Sequence, residues 1–428
     1  MSRLPRPPVR GGALAALSGA LAVALLAAGC ATTKPPASSA SSGSAVQTGP
    51  GVTATSITLG VLTDRTGPFA GAGAGIELGR KLFWDAQNAQ GGVCNRKVEF
   101  TLKDHAYKTD QAVTAYAQLK DNVLAMDELL GSPEIAALSD SIKEDKMPTL
   151  AVSWSSSLLS NPYVIITGTT YDVEMINGLD WLMRNKGLAK GAKVGHIYLE
   201  GDYGANALAG SKAAAKEYGL TVVDTKIKAT DTDLTAQVTA LKNQGVKFVL
   251  LTGSSAQTAS AVSVAEANGF DMTFVGSNPS FSPALLAGPA KSALEKRFYS
   301  VTSFAPYTST GVGPTRLRTE LAGKFPEQAK TGNGFAVYGY GQGIVMYKIL
   351  EAACKAGALT RAGVLKAFQS LTTVQTDGLI ATLDYSKPGQ IPARQVYVVR
   401  PDSTVPGGLS QVQDLFAAPF ATSYTPTS

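Results

Sequence analysis

One unit is written twice in this chain, and a repeated strand, small-residue turn, helix and second strand has few ways to bury its apolar faces. The first copy, VLAMDELLGSPEIAALSDSIKEDKMPTLAVSWSS from Val123, reads strand, Gly131-Ser132-Pro133 turn, helix, strand and Ser/Trp loop. The second, VKFVLLTGSSAQTASAVSVAEANGFDMTFVGSNPS from Val246, sets a Gly253-Ser254-Ser255 turn and a Ser277-Asn278 loop in the matching places. A simpler unit also recurs. Ile57, Leu59 and Val61 alternate with small or polar residues as a strand does, the turn Thr63-Asp64-Arg65-Thr66-Gly67-Pro68 follows, and a helix then runs to Gly91-Gly92. Its counterpart is a strand over Lys193–Leu199, a Glu200–Gly204 turn and an alanine-rich helix ended by Gly219. Alternating strands and helices imply an α/β chain with a parallel, doubly wound sheet in each of two similar lobes. In such sheets ligands sit beyond the carboxyl ends of the strands, at helix N-termini. Both sets of turns therefore aim at one place, the cleft between lobes that face each other.

The N-terminus is processing signal rather than fold. Arg3, Arg6 and Arg10 precede a small apolar run, Ala13–Ala28, too short for a membrane span, which ends at Gly29-Cys30. Leu26-Ala27-Ala28-Gly29-Cys30 resembles the lipobox of bacterial lipoproteins, with Ala27 where leucine is usual, so residues 1–29 are expected to be removed and Cys30 lipidated. Residues 30–54 read as lipidated cysteine and flexible tether, since Ala31 to Gly51 is Ala/Ser/Thr/Pro/Gly-rich and cannot bury a core. Losing three arginines takes the formal charge from +6 to +3, and no basic cluster suits nucleic acid. Of the three cysteines, Cys94 and Cys354 remain; outside the cytoplasm pairing is favoured, with two unrelated buried thiols as the alternative.

Motifs for catalysis are missing. There is no G-x-x-x-x-G-K-S/T run, no G-x-S-x-G elbow and no H-E-x-x-H, and Gly71-x-Gly73-x-Gly75 lacks the final spacing of a dinucleotide fingerprint. His105 and His196 are too few and isolated for a metal site or triad, and His196 reads as a structural histidine within a strand. Asp127 and Glu128 are adjacent, which in a regular strand points them to opposite faces. No cofactor, no metal and no enzyme activity is expected. From Leu379 to Arg400 strand pairs are expected about a Lys387-Pro388-Gly389 turn, with little order beyond Pro401.

ITLGVLTDRTGPFA, NAQGGV, LLGSPE, GDYG beside an alanine-rich helix and DTDLTAQVTALKNQGVKFVLLTG occur here in an order that resembles the solute-binding lipoproteins of ABC importers. More narrowly, Thr55 to Arg400 is similar to the leucine/isoleucine/valine-binding type of periplasmic binding protein. The resemblance implies two Rossmann-like lobes joined by a three-crossover hinge, lobe I from 55–172 and 304–375, lobe II from 173–303 and 376–428. It also implies a monomer that captures a small solute (amino acid, carboxylate or amide) and delivers it to ABC permease subunits, held to the outer face of the cell membrane by its lipid anchor. A ligand sensor of the same fold is the alternative. Family positions map a carboxylate contact to Ser132 on the first lobe, with further backbone and hydroxyl groups at Ser153 and Ser155, and other ligand groups to Tyr203, Ser254, Ser277 and Asn278 on the second. Thr66 and Phe69 from the first turn and Trp154 complete the expected ligand set, with Phe69 and Trp154 packing on the solute. Where the family often carries an acidic residue to pair a ligand ammonium, Gly276-Ser277-Asn278-Pro279 stands. A free α-amino acid is then expected to bind only if Asp64 or Glu128 reaches the cleft, and a small carboxylate or amide, aromatic or not, ranks level with branched-chain amino acids.

Overall fold

The computed structural model describes residues 46–426; the lipobox, Cys30 and most of the tether lie outside them. Among the described residues twelve principal strands form two sheets. In the first lobe β1 (Ser56–Thr63), β2 (Lys97–Asp104), β3 (Met126–Leu130), β4 (Thr149–Val152) and β5 (Val164–Ile166) are all parallel, in the order β2-β1-β3-β4-β5. The second lobe repeats that order with β6 (Lys193–Leu199), β7 (Thr221–Ile227), β8 (Phe248–Thr252), β9 (Thr273–Gly276) and β10 (Phe298–Thr302). It then adds two antiparallel strands, β11 (Val396–Pro401) and β12 (Leu409–Phe416). Strands buried on both faces by helices are near-continuous in Val, Ile and Leu, as β8 is.

The helices between these strands include α1 (Ala70–Ala89), α2 (Thr109–Leu119), α3 (Ser132–Glu144), α4 (Tyr171–Lys186), α5 (Asp202–Tyr218), α6 (Thr235–Asn243) and α7 (Ser255–Ala267). The short α8 (Lys291–Arg297), α9 (Val312–Lys324) and α10 (Pro326–Thr331) lead to the long α11 (Gly334–Lys355) and to α12 (Arg361–Ser370). Glycines let α1 and α11 pack closely. A methyl group on Gly79 would collide with the Ala336 carbonyl, and one on Gly339 with that of Ile76, so the two helices touch backbone to backbone.

The chain crosses between lobes beside itself. Thr169 bridges to Ala393 and Phe304 to Ile380, while the Ala305 and Ala381 amides donate to the Leu379 and Ser303 carbonyls at 2.8 and 2.7 Å. Thr373–Val374 pairs with Leu383–Asp384, and the Tyr385 hydroxyl donates to the Ile166 carbonyl at 2.8 Å, so residues 376–385 stay against the first sheet. The expected boundary at 375/376 falls inside this hairpin, and we propose that the last crossing lies near Ala393.

Three local expectations are corrected. The strands flanking Lys387–Gly389 join different sheets rather than each other. Order continues past Pro401, because the polar-rich Leu409–Phe416 forms an edge strand on β11 and α13 (Pro419–Ser423) follows. Such a strand needs its neighbour, since its own alternation is weak. Finally, β1 and β3 slip register between the Gly60–Met126 and Val61–Glu128 pairs, leaving Asp127 as the extra residue of a bulge. Asp127 and Glu128 consequently both turn to buried Arg80, whose Nε lies 3.9 Å from Asp127 Oδ2 and whose Nη1 pairs with Glu128 Oε2.

Candidate functional site: an aromatic cage between the lobes

At the carboxyl ends of β1, β3 and β4 and facing β6 and β9 lies a small cavity lined by Phe69, Tyr107, Trp154, Tyr171, Tyr203 and Phe335, with Ala72, Leu130, Gly131, Ser132, Val152 and Pro279 between the rings. Each ring arrives by its own device. The buried Asp64 carboxylate accepts from the Phe69 amide at 2.8 Å and from those of Thr66 and Gly67, closing the first turn so that Phe69 faces inward. After β2, Ala106 and Tyr107 adopt left-handed backbone at φ 53 and 55, and Tyr107 then packs on Phe69 with centroids 4.6 Å apart. That conformation is costly for non-glycine residues, and it clusters at functional sites. On the other lobe, Gly201 at φ 106 opens α5 and presents Tyr203, which lies 4.5 Å from Tyr171 and 6.2 Å from Phe69. Tyr171 is anchored in turn by its amide, which donates to the Trp154 carbonyl at 2.8 Å, and the Trp154 ring lies 5.9 Å from it.

The cavity is about 20 Å³, room for about one water. Across its edge the lobes touch. Ser157 Oγ donates to Asp202 Oδ1 at 2.8 Å, and Asn206 Nδ2 donates at 2.7 Å to Ser156 Oγ, itself a donor to Asp172 Oδ2 at 2.6 Å. With the lobes in contact, the cavity has no room for a solute larger than water.

Among the expected ligand residues, Phe69, Ser132, Trp154 and Tyr203 line this cavity together. Ser153 stands behind, its hydroxyl 2.7 Å from that of Ser132, and Ser277 bonds the Tyr203 hydroxyl at 2.5 Å. Asn278 turns its side-chain amide to Glu174 Oε1 at 2.8 Å. None of these three lines the cavity, and the remaining three are engaged elsewhere. Thr66 donates to Asp104 at 2.8 Å, Ser155 bonds Ser157 at 2.9 Å, and Ser254 forms a capping box with Gln257 at the start of α7. Neither carboxylate required for an α-amino acid reaches the cavity, because Asp64 is engaged by its own turn and Glu128 by Arg80.

Sequence reasoning missed Tyr107, Tyr171 and Phe335, and two buried carboxylates. Glu174, in the first turn of α4, accepts from the Asn278 backbone and side chain at 3.2 and 2.8 Å, and burial pushes its carboxyl well up. Glu134, in the first turn of α3, is fully buried, neither oxygen has a partner, and desolvation raises it to about 7. Its signal was visible as the Ser132-Pro133-Glu134 helix start, but first-turn acids are ordinarily solvated caps. His196 is the structural histidine expected, held between Ser211 and Thr252 at 2.8 and 3.1 Å and lowered to about 3 by burial. Among the described residues no cluster of His, Cys, Asp and Glu could hold a metal.

Known proteins share this architecture. A family profile described as periplasmic binding protein matches residues 56–406. The structure of a fatty acid ABC transporter substrate-binding protein from Thermomonospora curvata is 39% identical, covering 89% of this chain and 97% of its own, with a TM-score of 0.86. A branched chain amino acid ABC transporter structure from Thermus thermophilus with bound valine is 20% identical, covering 88% and 99%, at a TM-score of 0.75, and shares the fold. Leu/Ile/Val-binding protein homolog 3 of Brucella melitensis is 27% identical over 208 residues, which is 47% of this chain; the match spans about half of that relative, 55% of its length. With its two α/β lobes of like strand order, its interlobe cage and a profile match over most of its length, the chain belongs to the periplasmic binding protein family, whose members bind substrates and are not enzymes.

Proposed function

We propose that this protein captures a small, largely apolar solute in the interlobe cage and hands it to an ABC-type importer. The observation that carries the reading is the cage itself, six aromatic side chains from both lobes meeting where two parallel sheets end. The Thermomonospora relative, named as a fatty acid transporter's binding protein, supports both the importer and an apolar solute. Residues that touch the solute are proposed to be Phe69, Tyr107, Ser132, Trp154, Tyr171, Tyr203 and Phe335, with Ser153, Ser277 and Asn278 holding them in place. A lipid on Cys30, extracytoplasmic placement and a monomeric chain complete the reading. What supports the lipid and the placement is the lipobox-like run together with the family match, and no helix among the described residues is long and apolar enough to cross a membrane. A Cys94–Cys354 disulfide is part of the same reading: the two Cα atoms lie 5.9 Å apart, within the span of a disulfide.

A thermal-shift screen over aliphatic and aromatic acids, amines, amides and amino acids tests this. A solute at 100 times its Kd adds about 2.7 kcal/mol of stability. Trp154→Ala and Phe335→Ala should abolish the shift of any true hit. A hit whose shift survives both substitutions places binding elsewhere.

A further inference from the structure

A buried carboxyl group stands directly behind the wall of the cage. A methyl group on Gly131 would collide with Glu134 Oε2 and would lie 3.1 Å from the Tyr107 ring, so the carboxylate is packed against two residues that line the cavity. Glu134 turns back toward its own backbone N–H at the start of α3, no ion pair among the described residues includes it, and the other charged group felt there is an anion, Asp64. The free N–H groups and dipole at a helix N-terminus ordinarily recruit an anion from a ligand. Here a side chain of the protein already occupies that end. A ligand carboxylate brought beside Ser132 would meet a second anion in a space walled by aromatic rings, where little solvent screens the repulsion. An ammonium meets the opposite situation, a buried carboxylate with no side-chain partner, lying behind Gly131, and the π-faces of Tyr107, Phe69 and Trp154.

Given the solute-binding reading, on which this rests, we propose that Glu134 inverts the polarity of the subsite: the cage takes an amphipathic solute whose polar end is an ammonium, paired with Glu134, and whose apolar end packs on Leu130, Val152 and Phe335. The ammonium partner then comes from the first helix turn after β3, not from the loop after β9, where Asn278 is already committed to Glu174.

The test uses three size-matched probes on the purified chain, hexylammonium, hexanoate and hexanol, read by thermal shift and by tryptophan fluorescence, since Trp154 lines the cage. The expected result is a saturable shift with hexylammonium at least tenfold tighter than with hexanoate, and Glu134→Gln, which keeps the shape, weakening hexylammonium tenfold or more while hexanol changes by less than twofold. Hexanoate binding as tightly as hexylammonium, or Glu134→Gln leaving hexylammonium untouched, overturns the proposal. The comparison of probes on the unaltered protein stands even if Glu134→Gln does not fold. Hexanoate or hexanol binding without hexylammonium sinks the polarity argument and leaves the solute-binding reading intact; no shift from any probe at millimolar concentration counts against both.

Discussion

Replacing Arg80 by methionine should expose how the first lobe tolerates two buried acids. Arg80 runs from α1 to the bulge in β3, where it meets Asp127 and Glu128 with almost no solvent. Burial raises both carboxyls, Asp127 from 3.8 to about 7, while Arg80 pulls each back down. Because the folded chain holds the Asp127 proton more tightly than the unfolded chain, its contribution to stability is greatest below about pH 4. It declines as pH rises towards 7 and is flat above that. A rise of roughly three units corresponds to about 4 kcal/mol across the window. Without Arg80 both carboxyls must stay protonated in the fold, so the decline continues above pH 7. Breaking a buried pair costs about 3–5 kcal/mol, and this cost should appear at pH 8 and shrink by at least about 2 kcal/mol at pH 5, where protonation removes the unpaired charge. Urea unfolding of the wild type and Arg80→Met at the two pH values measures it. Equal losses at both would show that Arg80 works by packing, its guanidinium lying 5.4 Å from the centre of the Phe100 ring, and would refute the electrostatic argument.

Other substitutions separate structure from binding. Ser254→Ala removes the capping box of α7 and should cost about 1 kcal/mol of stability in urea with solute affinity unchanged; a binding defect at constant stability would return Ser254 to the ligand set. An unreduced digest should yield linked Cys94 and Cys354 peptides, and Cys94→Ser should lower stability by about 3–5 kcal/mol by freeing a sequence separation of 260 residues, whereas free thiols at both positions end the disulfide proposal. Cys30→Ala should release the protein from the membrane fraction, since a lipid on that residue is the proposed anchor; full retention of the variant would refute it.

The architecture was written locally, and for that reason it was legible. Period-two strands, helices of period 3.6 and two copies of one turn pattern specify two parallel sheets with their turns at one edge, and both sheets do run in the same order. Ser132, Trp154 and Tyr203 were readable as residues that line the interlobe cavity because each follows a strand end that topology alone aims at the cleft. The rest of the cage was not encoded that way. Tyr107 enters through two left-handed residues, Ala106 and Tyr107, that no glycine announces. Tyr171 and Phe335 belong to helices reached only after chain crossings, so nothing in their neighbourhoods marks them. Asp127 and Glu128 diverge under the rule of alternation, which assumes a regular strand, and the bulge that turns both to Arg80 exists only in the pairing of β3 with β1. Burial decided the remainder. Glu134 looks in sequence like a solvated first-turn acid, and it was buried only when the chain packed around it, against Gly131 and beside Tyr107, because desolvation is a property of the surroundings and not of the residue.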